Sequence, residues 1–412
     1  MNTNVLIMGK GGREHALAKK IQESSLLNKL WVCPGNPGMA LQGISCIEND
    51  STESVVSFCL KQEIKVVILG PENYILSDLK DSLEENGIYC FAPKSEVALL
   101  ESSKAFSKKI LHAAKIPTAR AQAVNTWTEG LQILENHNFE KSGIVLKADG
   151  LAQGKGVWVC QTSDEAKEAF KQLTHDFGYP VLIEEMLLGS ELSVFAVCKG
   201  KSFRILGTAC DYKRITEDPF SANTGGMGSY SPCDFLTADD LKKIETIYKN
   251  VLSVLDEQGL SYEGFLFAGL MKTREDLFVL EFNVRMGDPE TQSLLPRVSE
   301  DLLKMIIEAR DGELSNGWSE NSSDYSVHIV AASKGYPFKD MLLGQKIRLP
   351  QNTEHILFAG VQEDHGNLVN SGGRVLGVTA IGNSKLEARS KANSEISDIF
   401  FEGIYYRKDI GT

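Results

Sequence analysis

The first hundred residues alternate short apolar runs with helical patterns, and this alternation constrains the fold more than any other feature of the chain. The apolar runs at residues 4–8, 30–33, 65–69 and 88–91 are typical of buried strands, and the first three end in turns that contain glycine or proline. Repeated strand–turn–helix units predict a parallel sheet with helices on both faces. Ligands of such sheets bind beyond the carboxyl ends of the strands, where these turns lie. We therefore predict a doubly wound α/β domain over residues 1–102.

The rest of the chain has a mixed pattern. Ser103 precedes an amphipathic helical stretch, and from residue 143 onward strand signals surround a glycine-rich connection. A chain of 412 residues is long enough for two or three domains. We predict a central domain over residues 103–325, with a small subdomain at about 119–182 whose glycine-rich hairpin acts as a lid. An α+β domain is predicted over residues 326–412.

Charge and cysteine usage exclude several classes of protein. The formal net charge of −12 argues against nonspecific nucleic-acid binding, so an anionic substrate must be held by a local cluster of donors. The eight cysteines form no C-x-x-C pair and most lie in apolar runs, which indicates buried, reduced thiols. The chain shows neither a signal-peptide layout nor an apolar stretch long enough to span a membrane. We expect a cytoplasmic protein, a monomer or small homo-oligomer, that binds neither membrane nor nucleic acid.

The first predicted strand leads into Gly9-Lys10-Gly11-Gly12-Arg13-Glu14-His15. Backbone N–H groups of the glycines could approach an anion at the start of a helix, which is consistent with a phosphate ester. The dinucleotide fingerprint is not met, because Glu14 stands at its third glycine and the second strand ends in Cys33-Pro34 rather than an acidic residue. A tight turn without a ligand remains the alternative. His15 is expected on the first helix without a catalytic role.

A second glycine-rich segment follows Lys147, which ends a predicted strand. Gly150, Gly154 and Gly156 precede the next strand, and this spacing predicts a flexible hairpin whose N–H groups close over phosphates. Lys147 and Lys155 could oppose the phosphate charge. The segment is not a Walker loop, because no G-K-[ST] opens a helix. A plain hairpin with solvated lysines is the alternative.

Two further segments carry acidic residues. One lies at the end of a later apolar strand, and the other is a denser polar cluster further along the chain. Glu184 and Glu191 stand where a strand end could serve adenine and ribose, although exposed acids at strand ends are common. Alternation places Glu281, Asn283 and Arg285 on one strand face. Two oxygen ligands two residues apart suit Mg²⁺, and Arg285 could stabilise a transferred phosphoryl group. An ion-pair ladder on an edge strand is the alternative.

Two shorter segments complete the set of polar motifs. Residues 223–228 form a glycine-rich loop with several available amides, and residues 211–214 carry basic side chains just past a strand. Either segment could be merely structural.

Together these segments resemble the ATP-grasp superfamily and, within it, the glycinamide ribonucleotide synthetases (phosphoribosylamine–glycine ligases). The resemblance covers essentially the whole chain, in order, at residues 9–16, 34–36, 70–72, 147–151, 223–228, 281–283, 285, 287–292, 372–376 and 407–411. It implies an N-terminal parallel-sheet domain, a central ATP-grasp domain and a C-terminal α+β domain. It also implies an ATP-dependent ligase of purine biosynthesis that joins glycine to 5-phosphoribosylamine through glycyl phosphate, with Mg²⁺ or Mn²⁺.

The motifs and the resemblance together give the expected site residues. Arg285 and Lys147 are expected to be catalytic, and Glu281 and Asn283 to bind the metal. ATP is expected to contact Lys104, Lys147, Gly150, Gly154, Lys155, Gly156, Glu184, Glu185, Met186, Leu187 and Glu191. The other substrates are expected to contact Gly11, Gly12, Arg13, Gly70, Pro71, Glu72, Asp211, Lys213, Arg214, Asn223, Thr224, Gly225, Gly226, Arg285, Asp288 and Glu290.

Departures from the family pattern and three rival functions complete the expectations. Asn73, Tyr74 and Tyr212 depart on the expected substrate side, and Gln153 departs in the hairpin. Candidates for the substrate 5′-phosphate are Arg13, the turn at residues 70–72, and Lys213 with Arg214. The rivals are a carboxylase or other ligase acting on a purine-pathway nucleotide, a nicotinamide-dinucleotide oxidoreductase, and a nucleotide sensor without chemistry.

Overall fold

The computed structural model describes residues 2–150, 156–218 and 221–412. Its N-terminal part contains β1 (Thr3–Gly9), α1 (Gly12–Gln22), β2 (Leu27–Pro34), α2 (Pro37–Leu41), β3 (Ser45–Cys46), α3 (Thr52–Lys61), β4 (Val66–Leu69), α4 (Glu72–Ile75), α5 (Leu79–Glu85), β5 (Tyr89–Phe91) and α6 (Ser95–Ser102). The five strands are parallel, in the order β3-β2-β1-β4-β5. This order is that of a doubly wound sheet and confirms the fold predicted for this part of the chain.

The alternation of side chains along β1 explains why both faces of this sheet are covered. Leu6 and Met8 belong to one hydrophobic core, and Val5 and Ile7 belong to another. Because successive side chains of a strand point to opposite faces, an uninterrupted apolar run must be buried on both sides.

The central part begins with one helix and a small antiparallel unit. It contains α7 (Lys104–Ala113), β6 (Ala121–Val124), α8 (Trp127–Asn136), β7 (Ile144–Ala148), β8 (Val157–Cys160), α9 (Ser163–Phe177) and β9 (Val181–Glu185). The strands pair in the order β6-β9-β7-β8, and α8 and α9 cover them around a separate core that includes Phe170. Helix α9 spans 15 residues. A capping box of Thr162 and Glu165 fixes its start.

The remaining elements are the strands of one large sheet, a separate hairpin and several helices. They are β10 (Ser190–Lys199), β11 (Ser202–Asp211), β12 (Gly228–Ser231), α10 (Ala238–Glu257), β13 (Glu263–Lys272), β14 (Leu277–Asn283), α11 (Glu290–Leu294), a 3₁₀ helix (Leu295–Arg297), α12 (Leu302–Asp311), β15 (Gly317–Trp318), β16 (Tyr325–Ala332), β17 (Ile356–Phe358), β18 (Val361–Asp364), β19 (Asn367–Asn370), β20 (Arg374–Gly382) and α13 (Lys385–Ile396). The strand order is β14-β13-β10-β11-β12-β16-β20-β17, with β15 beside β11. Strands β18 and β19 form a separate hairpin.

The large sheet crosses the expected boundary between the central and C-terminal domains. Strand β12 pairs with β16, so that Ser231 lies opposite Ser326. The domain limits drawn from the sequence stay a prediction. Helix α10 is absent from the predicted elements, although Ile244, Tyr248, Val251 and Leu255 recur at helical spacing and are buried.

Seven of the eight cysteines are buried, as their apolar surroundings predict, and Cys46 is half-buried. Among the helices of the described ranges, none combines the length and apolar character needed to cross a bilayer.

Candidate active site

The turns after β1 and β4 meet because these strands are neighbours in the parallel sheet. The side chain of Glu14 lies against both turns. A Cβ built on Gly9 or Gly70 would lie 2.4 or 2.3 Å from Glu14 atoms, so only glycine fits at either position. Glu14 accepts hydrogen bonds from the amide of Gly11, at 2.8 Å, and from Nε of Arg13, at 2.5 Å. The amide of Gly11, expected to approach an anion, is therefore engaged by a carboxylate of the protein itself.

Arg13 connects this turn with the polar segment that follows β14. The arginine is buried, and its Nη1 donates to the backbone oxygen of Met286 at 3.1 Å. A Cβ built on Gly11 would lie 3.5 Å from Oδ2 of Asp288. The structure thus brings the first glycine turn beside the segment that carries Arg285 and Asp288, as the substrate-site prediction requires.

Strand β14 presents its polar residues on one face. Phe282 and Val284 are buried, whereas Glu281, Asn283 and Arg285 are partly exposed, which confirms the predicted alternation. Arg285 lies between two carboxylates. Its Nε is 3.2 Å from Oε2 of Glu72 in the turn after β4, and its Nη2 is 3.1 Å from Oε1 of Glu101 at the end of α6.

These two carboxylates respond differently to their surroundings. Burial acts to raise the pKa of Glu72, but the charge of Arg285 and hydrogen bonds to the carboxylate outweigh it and leave that pKa lowered. At Glu101 burial dominates and raises the pKa, although Arg285 opposes the rise. Glu72 was expected near substrate, and the turn at Gly70 and Pro71 brings it beside Arg285, which was expected there as well.

The glycine-rich loop at residues 223–226 is held by the C-terminal part of the chain. Tyr336 Oη accepts from the amide of Gly225 at 2.9 Å. Arg374 Nη1 donates to the carbonyl oxygens of Gly225, at 2.7 Å, and Asp288, at 2.8 Å, and lies 3.3 Å from Oδ1 of Asp288. Burial acts to raise the pKa of Asp288, but the charges of Arg374 and Arg13 and a hydrogen bond from Gln292 together outweigh it, so the pKa is lowered.

The expectation that this loop offers several available amides is corrected. Besides the Gly225 amide, the amide of Thr224 donates to the Lys213 carbonyl and that of Gly226 to Oγ1 of Thr224. Asn223 pairs with Arg214 in an isolated β-bridge. The amides of Thr224, Gly225 and Gly226 are therefore already engaged within the protein.

Two lysines and a glutamate form the centre of the expected nucleotide site. Glu184 is buried rather than exposed at a strand end. Its oxygens lie 2.8 Å from Nζ of Lys147 and 3.1 Å from Nζ of Lys108 on α7. Lys147 also donates to the backbone oxygen of Leu280, at 3.3 Å, which places it beside Glu281 on β14.

Lys104 lies at the other side of this group. Its Nζ donates to the carbonyl oxygen of Gly150 at 3.1 Å. Burial lowers the pKa of Lys104, and the charge of Glu281 opposes this change. Lys104, Lys147 and Glu281 are therefore brought together as predicted. Gly156 is buried at the start of β8.

The residues expected to contact adenine and ribose, at the end of β9 and after it, differ in their contacts. Glu185 binds the backbone and side chain of Arg120, and Met186 Sδ accepts from Gln161. Leu187 is partly exposed. Glu191 lies 2.6 Å from Nζ of Lys213, whose charge lowers the pKa of this carboxyl group.

Several other predicted residues have identifiable positions. Lys213 is 3.9 Å from Asp211, and Arg214 Nη1 donates to the Ser221 carbonyl. Tyr212, expected towards substrate, instead packs its ring under Arg407 and accepts from the amide of Gly411. Gly154 and Lys155 lie outside the described residues.

The residues predicted to hold a metal are compatible with one. Glu281 and Asn283 offer a carboxylate and an amide oxygen from the same strand face. Within the described ranges, no group of three or more His, Cys, Asp or Glu residues forms a metal cage. A site with few protein ligands suits Mg²⁺, which retains waters and binds substrate phosphates.

Five side chains in the described site were not assigned a role from the sequence: Glu14, Glu101, Lys108, Tyr336 and Arg374. Arg374 stands in the motif at residues 372–376, so a signal was present. Glu101 precedes Ser103 and Lys104, and nothing in its spacing indicates a partner on β14.

Comparisons with known proteins agree with this architecture. The family models for the N domain, ATP-grasp (A) domain and C domain of phosphoribosylglycinamide synthetase match residues 3–101, 102–291 and 326–412. The phosphoribosylamine–glycine ligase of Caldanaerobacter subterraneus subsp. tengcongensis is 41% identical, over 98% of this chain and 99% of that protein. That of Haemophilus influenzae is also 41% identical, over 99% and 97%.

A solved structure extends the likeness to three dimensions. The phosphoribosylamine–glycine ligase of Thermotoga maritima has a TM-score of 0.87 and 34% identity, covering 99% of this chain and 100% of that one. These matches confirm the resemblance and the predicted fold, with a parallel-sheet N-terminal part and a central ATP-grasp domain. The chain belongs to the phosphoribosylglycinamide synthetase family.

Proposed function

We propose that this protein is an ATP-dependent carbon–nitrogen ligase that joins glycine to 5-phosphoribosylamine and yields glycinamide ribonucleotide, ADP and phosphate in purine biosynthesis. The observation that carries the proposal is the course of β14. The exposed side of β14 and of the segment that directly follows it leads from Glu281, beside Lys104 and Lys147, to Arg285, beside Glu72. This stretch links the residues proposed for the nucleotide with those proposed for the other substrates.

The reaction consists of two transfers. The carboxylate of glycine attacks the γ-phosphorus of ATP, which forms glycyl phosphate and releases ADP. The nitrogen of phosphoribosylamine then attacks the acyl carbon, loses a proton and expels phosphate, which leaves an amide. Neither step requires a nucleophile from the protein, so catalysis rests on positioning and charge stabilisation.

The side chains divide these tasks. Lys104 and Lys147 hold the ATP phosphates, and Arg285 stabilises the negative charge that spreads over the transferred phosphoryl group. Glu281 and Asn283 would hold a divalent cation, Mg²⁺ or Mn²⁺, which would supply positive charge against the ATP phosphates. The remaining ATP and substrate contacts expected from the sequence, a cytoplasmic location and a monomeric or small oligomeric state belong to the same proposal.

The deciding experiment measures ADP release from ATP and Mg²⁺ with freshly made phosphoribosylamine, with and without glycine. Release that needs both substrates is expected. Release that needs bicarbonate and ignores glycine would instead identify a carboxylase on the same fold.

Replacing Glu281 by alanine tests the metal site. We expect Glu281→Ala to lower kcat by at least about a thousandfold, because the cation that neutralises the phosphates loses its carboxylate ligand. Glu275→Ala, at an exposed position before β14, is the matched control and should retain wild-type turnover. Near-normal activity of Glu281→Ala would contradict the assignment.

A further inference from the structure

Glu101 makes two contacts with the end of β14, although it lies far away in sequence. It is the second-last residue of helix α6, and only 6% of its side chain is exposed. One carboxylate oxygen accepts from the amide of Val284 at 2.8 Å, and the other lies 3.1 Å from Nη2 of Arg285. The same carboxylate therefore fixes both the backbone before Arg285 and the guanidinium group itself.

The donors of Arg285 show what this contact achieves. A guanidinium carries five N–H groups. Within the described chain, Nε faces Glu72, Nη1 donates to the carbonyl oxygen of Met286 at 3.1 Å, and Nη2 faces Glu101. One N–H on each of Nη1 and Nη2 is left for a further acceptor. An arginine held at three points presents these two groups in a fixed direction, which is the preorganisation that phosphoryl transfer requires.

The two carboxylates beside Arg285 are not equivalent. The side chain of Glu72 is 29% exposed and belongs to the turn expected to contact substrate, whereas Glu101 is buried and also binds a backbone amide. Glu72 can therefore exchange partners when substrate enters, while Glu101 keeps its own. A buried carboxylate with two charge-assisted bonds is also costly to displace.

We propose that Glu101 is a positioning residue that holds Arg285 in its productive orientation for phosphoryl transfer. The proposal rests on the proposed ligase function. It assigns to the end of α6 a role in catalysis that is exerted only through Arg285.

The test is a double-mutant cycle on glycine-dependent ADP release by the full chain. Glu101→Gln retains an oxygen for the Val284 amide but turns an N–H₂ group towards Arg285. We expect its kcat to fall about thirtyfold with the KM for ATP changed less than about twofold, because the lost interaction acts in the transition state. Glu101→Asp should recover part of kcat. Glu96→Gln, exposed on the same helix, is the matched control and should behave as wild type.

The second arm uses Arg285→Lys as background. A residue that acts through Arg285 should cost less than about threefold in kcat once that arginine is gone. An equal loss in both backgrounds would overturn the proposal and leave Glu101 a purely structural residue. Melting curves of all variants exclude loss of folded protein as the cause. Absence of glycine-dependent activity in the wild type would instead overturn the ligase function, and the positioning role with it.

Discussion

Glu290 is a buried carboxyl group in the first turn of α11. Ser193 Oγ donates to its Oε1 at 3.0 Å, and burial, followed by the charge of Asp211, raises its pKa to about 7. Between pH 4.5 and 7 the folded protein therefore binds more protons at this site than the unfolded chain does. The contribution of Glu290 to stability is lost as pH rises through this window.

We therefore expect Glu290→Gln to be more stable than the wild type at pH 8, by about 3 kcal/mol, and nearly equal to it at pH 4, where the Glu290 carboxyl group is mostly protonated in both the folded and the unfolded protein. Denaturant unfolding at several pH values measures this difference. Glu320→Gln, at an exposed position, supplies the control. A gain that is the same at both pH values would show that Glu290 does not titrate in this range.

Some site residues could be predicted individually, and others could not. Arg285 and Glu72 stand in motifs with recognisable chemistry, and the structure brings them together. Glu101 gave no such signal, because an acidic residue at a helix end is usually solvated. Its role depends on α6 packing against β14, a contact that no local pattern encodes. The internal partner of the Gly11 amide gave no signal either, since its acceptor is the neighbouring Glu14 side chain.

At the scale of secondary-structure elements, the start of helix α7 connects with the end of β7. Ser103 Oγ accepts from the amide of Phe106 and donates to Asp149, and the other oxygen of Asp149 accepts from the amide of Ala105 at 3.2 Å. Asp149 thus supplies a negative charge at a helix N-terminus. The same junction directs Lys104 to the carbonyl oxygen of Gly150.

Removing this carboxylate should loosen the junction and the lysine it directs. We expect Asp149→Ala to lower the free energy of unfolding by ~1 kcal/mol and to raise the KM for ATP about fivefold. Asp164→Ala removes an exposed acid from the first turn of α9 and should leave the KM unchanged. Steady-state kinetics with varied ATP measure the KM of both variants. An unaltered KM for Asp149→Ala would show that Lys104 is directed by other contacts.

The elements differ in how far the sequence determines them. The parallel sheet could be predicted, since each of its main strands is a short apolar run closed by a turn. The large sheet could not, because the pairing of β12 with β16 joins segments distant in sequence and neither strand's alternation identifies its partner. Buried polar residues such as Ser229 and Ser231 also hide the strand character of β12.

At the scale of the whole molecule, a polar seam joins the N-terminal helices to the C-terminal strand β17. His15 Nδ1 accepts from the amide of Phe358 at 2.9 Å, so the proton resides on Nε2, which faces Gln42 Oε1 at 3.1 Å. Gln42 in turn donates to the carbonyl oxygen of Ile356, and Asn36 donates to that of Phe358. His15 lies on the first helix, as predicted, and contributes there to a seam that the sequence did not indicate.

This seam should make stability depend on pH on the acid side. Burial, followed by the charge of Lys19, lowers the pKa of His15 to about 3, so the folded protein binds fewer protons than the unfolded chain between pH 3 and 6.5. Stability must then fall as pH drops below 6.5, by up to ~1.4 kcal/mol per pH unit for this residue. Burial lowers the pKa of His328 to about 3 as well, so this residue adds a similar loss of stability as pH falls.

The side-chain oxygen of Asn in His15→Asn can still accept from the Phe358 amide. We expect this variant to reduce the acid-side dependence of the free energy of unfolding on pH by the equivalent of about one bound proton. We also expect it to lower stability at pH 7 by roughly 1 kcal/mol, because the bond to Gln42 is lost. Denaturant unfolding between pH 5 and 7 gives both quantities, and His112→Asn, on the exposed side of α7, should change neither. A slope that His15→Asn leaves intact would mean that the folded and the unfolded protein protonate His15 at the same pH, so that His15 is already charged in the folded protein at about pH 5. In that case Phe358 could not donate to it, and the seam would have to be held by Asn36 and Gln42 alone.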